Sequence, residues 1–126
     1  MAAAGELDAA IERAWGGGLV VLGDPMFGTN RVRIVELVRH FQVLAMYISA
    51  RLFMDAGGLM SYLAPDSWHW RSAAGFVERI LRGAKPADLP VEQPTQFELV
   101  INLKTARALG ITIPQSVLPR ADQVIQ

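Results

Sequence analysis

The chain contains no cysteine. That excludes disulfides, thiolate metal sites and a cysteine nucleophile, and leaves the redox compartment open. An excess of charge is also lacking, since Lys plus Arg and Asp plus Glu each total 12. A neutral balance carries no electrostatic footprint for nucleic acid or an anionic membrane surface. No apolar run approaches the roughly 20 residues that span a bilayer, so membrane insertion is not expected. The N-terminal stretch "MAAAGELDAAIERAW" places acids among its alanines, without a basic segment followed by an apolar core. As written it is no export signal, and the chain reads as cytoplasmic. Histidines number only 2, His40 and His69. Neither has companions at ligand spacing, so no metal and no cofactor is expected.

What is present suits one globular domain: 126 residues, of which 52% are apolar. "ELDAAIERAW" puts Leu7, Ala10, Ile11 and Ala14 on one helical face, and Gly16-Gly17-Gly18 stops that helix. The glycine run superficially resembles a phosphate loop. Such a loop must follow a strand and open a helix, whereas this one does the reverse. "LVVL" (19–22) reads as a buried strand. A helix over 30–40 comes next, with Asn30 as N-cap and Val32, Val35, Leu37, Val38 and Phe41 mostly inward. "VLAMYI" (43–48) and "LMSYL" (59–63) are further strand candidates, separated by a short helical turn "ARLFMDA". The strongest helix runs over 67–82, closed by Gly83. Pro86, Pro90 and Pro94 make the next segment an extended connector. Phe97–Ile101 is β-rich, Asn102 is a natural N-cap, and a helix over 103–109 ends at Gly110. A last short helix is expected from Pro114, disturbed by Pro119.

Strand and helix alternate, and the strands are continuously apolar, which is the habit of parallel sheets covered on both faces. The expected fold is α/β: a partial doubly wound sheet of about four strands with flanking helices. In such sheets ligands gather outside the carboxyl ends of the strands. The loops there are "GDPMFGTN", "YISAR" and "SYLAPDS". Asp24 stands directly after a buried strand, where a carboxylate can hold an ammonium or hydroxyl through a charge-assisted hydrogen bond. Its plainer role is that of a turn-forming Asp before Pro25. Phe27 can stack on a ligand or pack on the core, and Ser61 and Tyr62 offer hydroxyls at a strand end. Trp68, Trp70 and the apolar stripe of the long helix suit core or contact surface.

"GGLMSY", the whole stretch from "AAGFVERILRGAKPADLPVEQPTQFELVINLKTARALG" to the last residue and, less sharply, "LVVLGDPMF" resemble the C-terminal part of ABC-transporter substrate-binding proteins. The subgroup is the one labelled tryptophan/tyrosine-type transport, with the type I periplasmic-binding-protein fold of two lobes around a ligand cleft. The resemblance implies a non-enzymatic solute-binding component of an ABC importer, periplasmic or extracellular, that takes a small ligand such as an amino acid and delivers it to a permease. It implies a chain division into 1–62 (βαβ part of the C-terminal lobe), 63–96 (crossover helix and connector) and 97–126 (returning strand and C-terminal helices). Asp24, Pro25, Phe27, Ser61 and Tyr62 then become the ligand-binding candidates. Leu63 follows the "SY" pair where the family has Gly, which alters the hinge, because Gly allows backbone angles that Leu resists.

Relatives of this kind are about twice as long or more. A shortened form is expected to bind its solute weakly or not at all, and to form a homodimer through the face of the 67–82 helix left uncovered. Two other readings use the same residues. One is a structural or oligomerisation domain without a solute; the other is a small enzyme with Asp24 as acid or base, for which no second catalytic residue presents itself.

Overall fold

The computed structural model describes residues 4–48 and 50–126. In chain order the elements are α1 (Ala4–Glu12), β1 (Gly18–Val21), α2 (Pro25–Thr29), α3 (Arg31–His40), β2 (Leu44–Tyr47), α4 (Ala50–Asp55), β3 (Met60–Leu63), α5 (Asp66–Leu81), β4 (Glu98–Asn102), α6 (Leu103–Ala108) and β5 (Gln123–Ile125). They fall into two compact units, Met1–Leu63 with Leu99–Gln126, and Ala64–Glu98.

The first unit holds a five-stranded sheet in the order β1-β2-β3-β4-β5. β1–β2, β2–β3 and β4–β5 are parallel pairs. Successive strands are added in one direction. Right-handed crossovers then place α3 and α4 on the same face of the sheet. That face is the core, where Val21, Ala45 and Tyr47 of the strands meet Ile34, Val35 and Val38 of α3 and Phe53 of α4. Leu7 and Ile11 bring α1 onto the same cluster, and Arg33 clamps Asp8 at 2.9 Å to fix α1 on α3. Ala10, expected inward, is exposed. Val32 is exposed as well, and Ile34, not singled out in the periodicity, is buried in its place. The opposite face of the sheet is apolar too, yet Val20, Leu44 and Tyr62 are exposed there.

The Asn102 N–H donates to the Leu59 carbonyl at 2.8 Å. The carboxyl end of β4 therefore lies at the amino end of β3, and the sheet is only mostly parallel. Asn102 also ends β4 and caps α6 at once, its Oδ1 accepting from Thr105 N–H at 3.0 Å. This junction sits at the end of the sheet away from the β1 and β3 carboxyl ends. The short helix expected from Pro114 is only a turn and a 3₁₀ segment, and the fifth strand beyond it corrects the expectation of about four strands. After a 3₁₀ turn at Leu118–Arg120 the chain extends and pairs with β4. Asp122 secures the join, its N–H donating to Leu99 O and its Oδ2 accepting from Leu99 N–H.

In the second unit, α5 is a 16-residue helix closed by Gly83 at φ +101°, a left-handed conformation that glycine adopts without strain. The connector after it is tied back at Glu92. That carboxylate accepts from Ser72 Oγ at 2.9 Å and from Arg79 Nη2 at 2.7 Å, and the Arg79 guanidinium lies over the Phe76 ring at 4.5 Å. Both bonds engage the Ser72/Phe76/Arg79 side of the helix. The apolar stripe stays open, with Trp70 76% and Val77 55% exposed.

Candidate functional site

β1 ends at Val21, and the chain turns through Gly23 and Asp24 into α2. Asp24 has extended backbone, Pro25 occupies the first helical position, and Asp24 Oδ1 accepts from Met26 N–H at 2.7 Å. This is an N-cap with proline at N1, a local arrangement that the "DP" pair encodes. Asn30 was expected to cap α3 through its side-chain oxygen. Instead its Nδ2 donates back to Met26 O at 2.9 Å, so the residue finishes α2 and gives α3 no side-chain cap. Arg31, the first residue of α3, donates from Nη1 to Gly28 O at 3.1 Å.

These bonds frame a cavity of about 460 Å³ at the carboxyl end of β1. Gly23, Asp24 and Pro25 form one wall, Gly28, Thr29 and Arg31 continue it, and Leu52 and Phe53 of α4 close the apolar side. Asp24 and Pro25 are exposed, so the cavity opens to solvent. Phe53 is held rigidly, stacked on Tyr47 with ring centroids 4.6 Å apart and planes 15° from parallel. Gly58 makes room for that stack: a Cβ there would meet Tyr47 Cε2 and Phe53 O at 2.9 Å. Burial pushes the Tyr47 phenol well above the ordinary tyrosine range, against a smaller opposing pull from the Arg39 charge.

The expected site residues do not all converge. Asp24 and Pro25 line the cavity. Phe27 is half-buried against the core and is not among the lining residues. Ser61 is fully buried on the covered face of the sheet, in register with Tyr47, and neither hydroxyl has a hydrogen-bond partner among the described residues. Tyr62, the next residue, points to the opposite face and is 47% exposed. Ser49 of the "YISAR" loop lies outside the described residues. Arg31, Thr29, Leu52 and Phe53 were not anticipated. For Arg31 the available signal was its place seven residues after Asp24, at the opening of the next helix. Among the described residues no three His, Cys, Asp or Glu side chains stand together as a metal site, and no helix is long and apolar enough to cross a membrane.

Residues 17–125 match the family model described as ABC transporter substrate binding protein. The chain belongs to that family. No curated protein sequence matches the chain. Among solved structures, the family member is similar to an ABC domain from Streptococcus pneumoniae in complex with L-Trp, at 29% identity and a TM-score of 0.78, covering 96% of this chain and 41% of that one. A conserved domain protein from Vibrio cholerae O1 biovar El Tor superposes with a TM-score of 0.82 at 24% identity, over 95% of this chain and 41% of that one. The ligand-free, open form of a substrate-binding protein with adhesive properties from Clostridium difficile gives a TM-score of 0.68 at 16% identity, over 100% and 42%. The last two likenesses establish fold alone. The substrate-binding family member thus spans about two-fifths of the length of the structures it matches, and its α/β sheet is part of a periplasmic-binding-protein-like fold.

Proposed function

We propose that the chain is a solute-binding unit of an ABC importer, and that the cavity at the carboxyl end of β1 takes a small organic solute such as an amino acid. The observation that carries this reading is the cavity itself. It joins a carboxylate, Asp24, to an apolar wall of Leu52 and Phe53, at the strand ends where α/β sheets hold ligands. Asp24 would accept from the solute ammonium while keeping its bond to Met26 N–H, since a carboxylate has acceptor sites to spare. Pro25 offers an apolar edge, whereas Tyr62, on the opposite face of the sheet, and the packed Phe27 and Ser61 stand outside the cavity lining. The openness of the cavity argues for weak binding by this unit alone, because a tight pocket covers most of its ligand. The L-Trp complex of the pneumococcal relative supports an amino acid as the class to test. Location outside the cytoplasmic membrane and delivery to a permease are part of the same proposal.

Asp24→Asn tests it cleanly, because Asn is as good an N-cap as Asp but carries no charge. With L-tryptophan at millimolar concentration, amide shifts around residues 23–31 are expected in the parent protein. They should weaken about tenfold in the variant, the loss of one hydrogen bond to a charged group, with the melting temperature unchanged. Equal binding by both proteins would overturn the role of Asp24.

The open stripe on α5 favours a second reading, self-association. Trp70, Val77, Ile80 and Leu81 lie at helical spacing and are all exposed, while the Glu92 tie engages a different side of the helix. Burying one such side chain contributes about 1.5–3 kcal/mol, so a homodimer through this face is the expected form. Sedimentation velocity at micromolar concentration decides: a monomer would sink the dimer, and Val77→Glu should dissociate it if it forms.

A further inference from the structure

Asp24 is the acid of the cavity, and Arg31 is its base. The two are not paired with each other. Each is fastened to the backbone of α2 by one bond, Asp24 at the amino end through Met26 N–H and Arg31 near the carboxyl end through Gly28 O. Four residues separate Asp24 from Gly28, which is about 6 Å along a helix axis. The two charges are thus held apart on one wall, facing the same space.

Arg31 is poorly placed for stability. It is the first residue of the ten-residue α3, where the helix macrodipole is positive and a cation is disfavoured. Arg33, in the same turn, is compensated by its ion pair with Asp8. Arg31 has no acid within ion-pair distance among the described residues. Its single hydrogen bond to Gly28 O uses one of five N–H donors in a planar fork suited to carboxylates.

We infer that Arg31 anchors the carboxylate of the solute while Asp24 takes its ammonium, so that the cavity selects zwitterions with a free carboxylate. The inference rests on the proposed solute-binding function and adds to it an orientation and a rule of selection. Two charge-assisted bonds of about 2.8 Å, plus the short gap between the two charged groups of an α-amino acid, bridge the spacing set by α2. The ligand's side chain is then left for Leu52 and Phe53.

The test uses the full chain, followed by 1H–15N spectra that include arginine Nε–Hε signals, with three probes: L-tryptophan, L-tryptophanamide and indole-3-propionate. The parent protein should prefer L-tryptophan over the amide by about tenfold, the loss of a charged hydrogen-bond partner, and the Arg31 Nε–Hε signal should shift only with the two carboxylates. Arg31→Met should bring L-tryptophan and its amide within about twofold of each other, yet keep the preference over indole-3-propionate that Asp24 sets. Arg31→Lys, which keeps charge but not the fork, should fall between; it also serves if the Met variant loses spectral dispersion. Unaltered ratios in both variants would overturn the Arg31 assignment and leave solute binding standing. If none of the probes shifts the parent spectrum, the solute-binding reading falls and this inference falls with it.

Discussion

Ile34 and Val77 both lie on the apolar side of a helix, but the first is 2% exposed and the second 55%. The difference separates the two units. In the sheet-bearing unit, helix stripes meet strand faces, and the core runs from Leu7 to Phe53. In the unit of residues 64–98, α5 buries no residue at all. Its order comes from its own backbone hydrogen bonds and from Glu92 tying the connector to Ser72 and Arg79. A strong helical pattern in sequence therefore says that a helix will form, and nothing about whether its apolar face has been given a partner.

The largest expected contrast comes from truncating those two residues. Ile34→Ala should destabilise by about 2–5 kcal/mol, the transfer and cavity cost of a core aliphatic. In the monomer, at concentrations too low for self-association, Val77→Ala should stay within about 0.5 kcal/mol, as exposed substitutions do. Urea denaturation of the two variants checks this, and equal losses would erase the distinction between the units.

Gly58→Ala comes next, since its new methyl would lie at 2.9 Å from backbone and ring atoms. Overpacking of this kind costs about 1–3 kcal/mol, and it should disturb the cavity wall through Tyr47 and Phe53. Thermal melts give the first effect, and amide shifts at Leu52 and Phe53 the second.

Tyr47→Phe should be neutral or stabilising by up to about 1 kcal/mol, because a buried hydroxyl without a partner is removed at nearly constant shape. A drop in melting temperature would contradict this.

The smallest effect belongs to the second unit. The Arg79 hydrogen bond first, and that from Ser72 second, lower the Glu92 carboxyl below its ordinary value. A carboxyl lowered in the folded state contributes fully above its unfolded value and loses that contribution as pH falls through the folded one. The Arg79 Nε–Hε signal should therefore titrate below the ordinary carboxylate range and cease to do so in Glu92→Gln, with no change in global melting.

Much of this architecture was legible in the chain. Four strands, the helix over α5 with its glycine stop, and Asn102 as both strand end and cap follow from local rules of periodicity and capping. β5 was not legible, because Pro114 and Pro119 dominate its surroundings and its three residues are extended only through pairing with β4. The splitting of "DPMFGTNRV" into α2 and α3 was missed as well. Asn30 looks like a cap for α3, whereas its side chain closes α2. Asp24 was found because a carboxylate after a strand is a local sign. Arg31 and Phe53 were not, since the cavity they share with Asp24 exists only once α4 folds against the α2–α3 junction.

The bare face of the sheet has a calorimetric consequence. Unfolding raises heat capacity in proportion to the apolar surface newly given to water. For a well-covered domain of this length the increment would be about 1.5–1.9 kcal/mol/K. Here Val20, Leu44 and Tyr62 are already hydrated in the native state, as are Trp70 and Val77 on α5. The native monomer should therefore give a smaller increment and a flatter stability curve than its length implies. Whatever covers those side chains should restore the curvature when it binds.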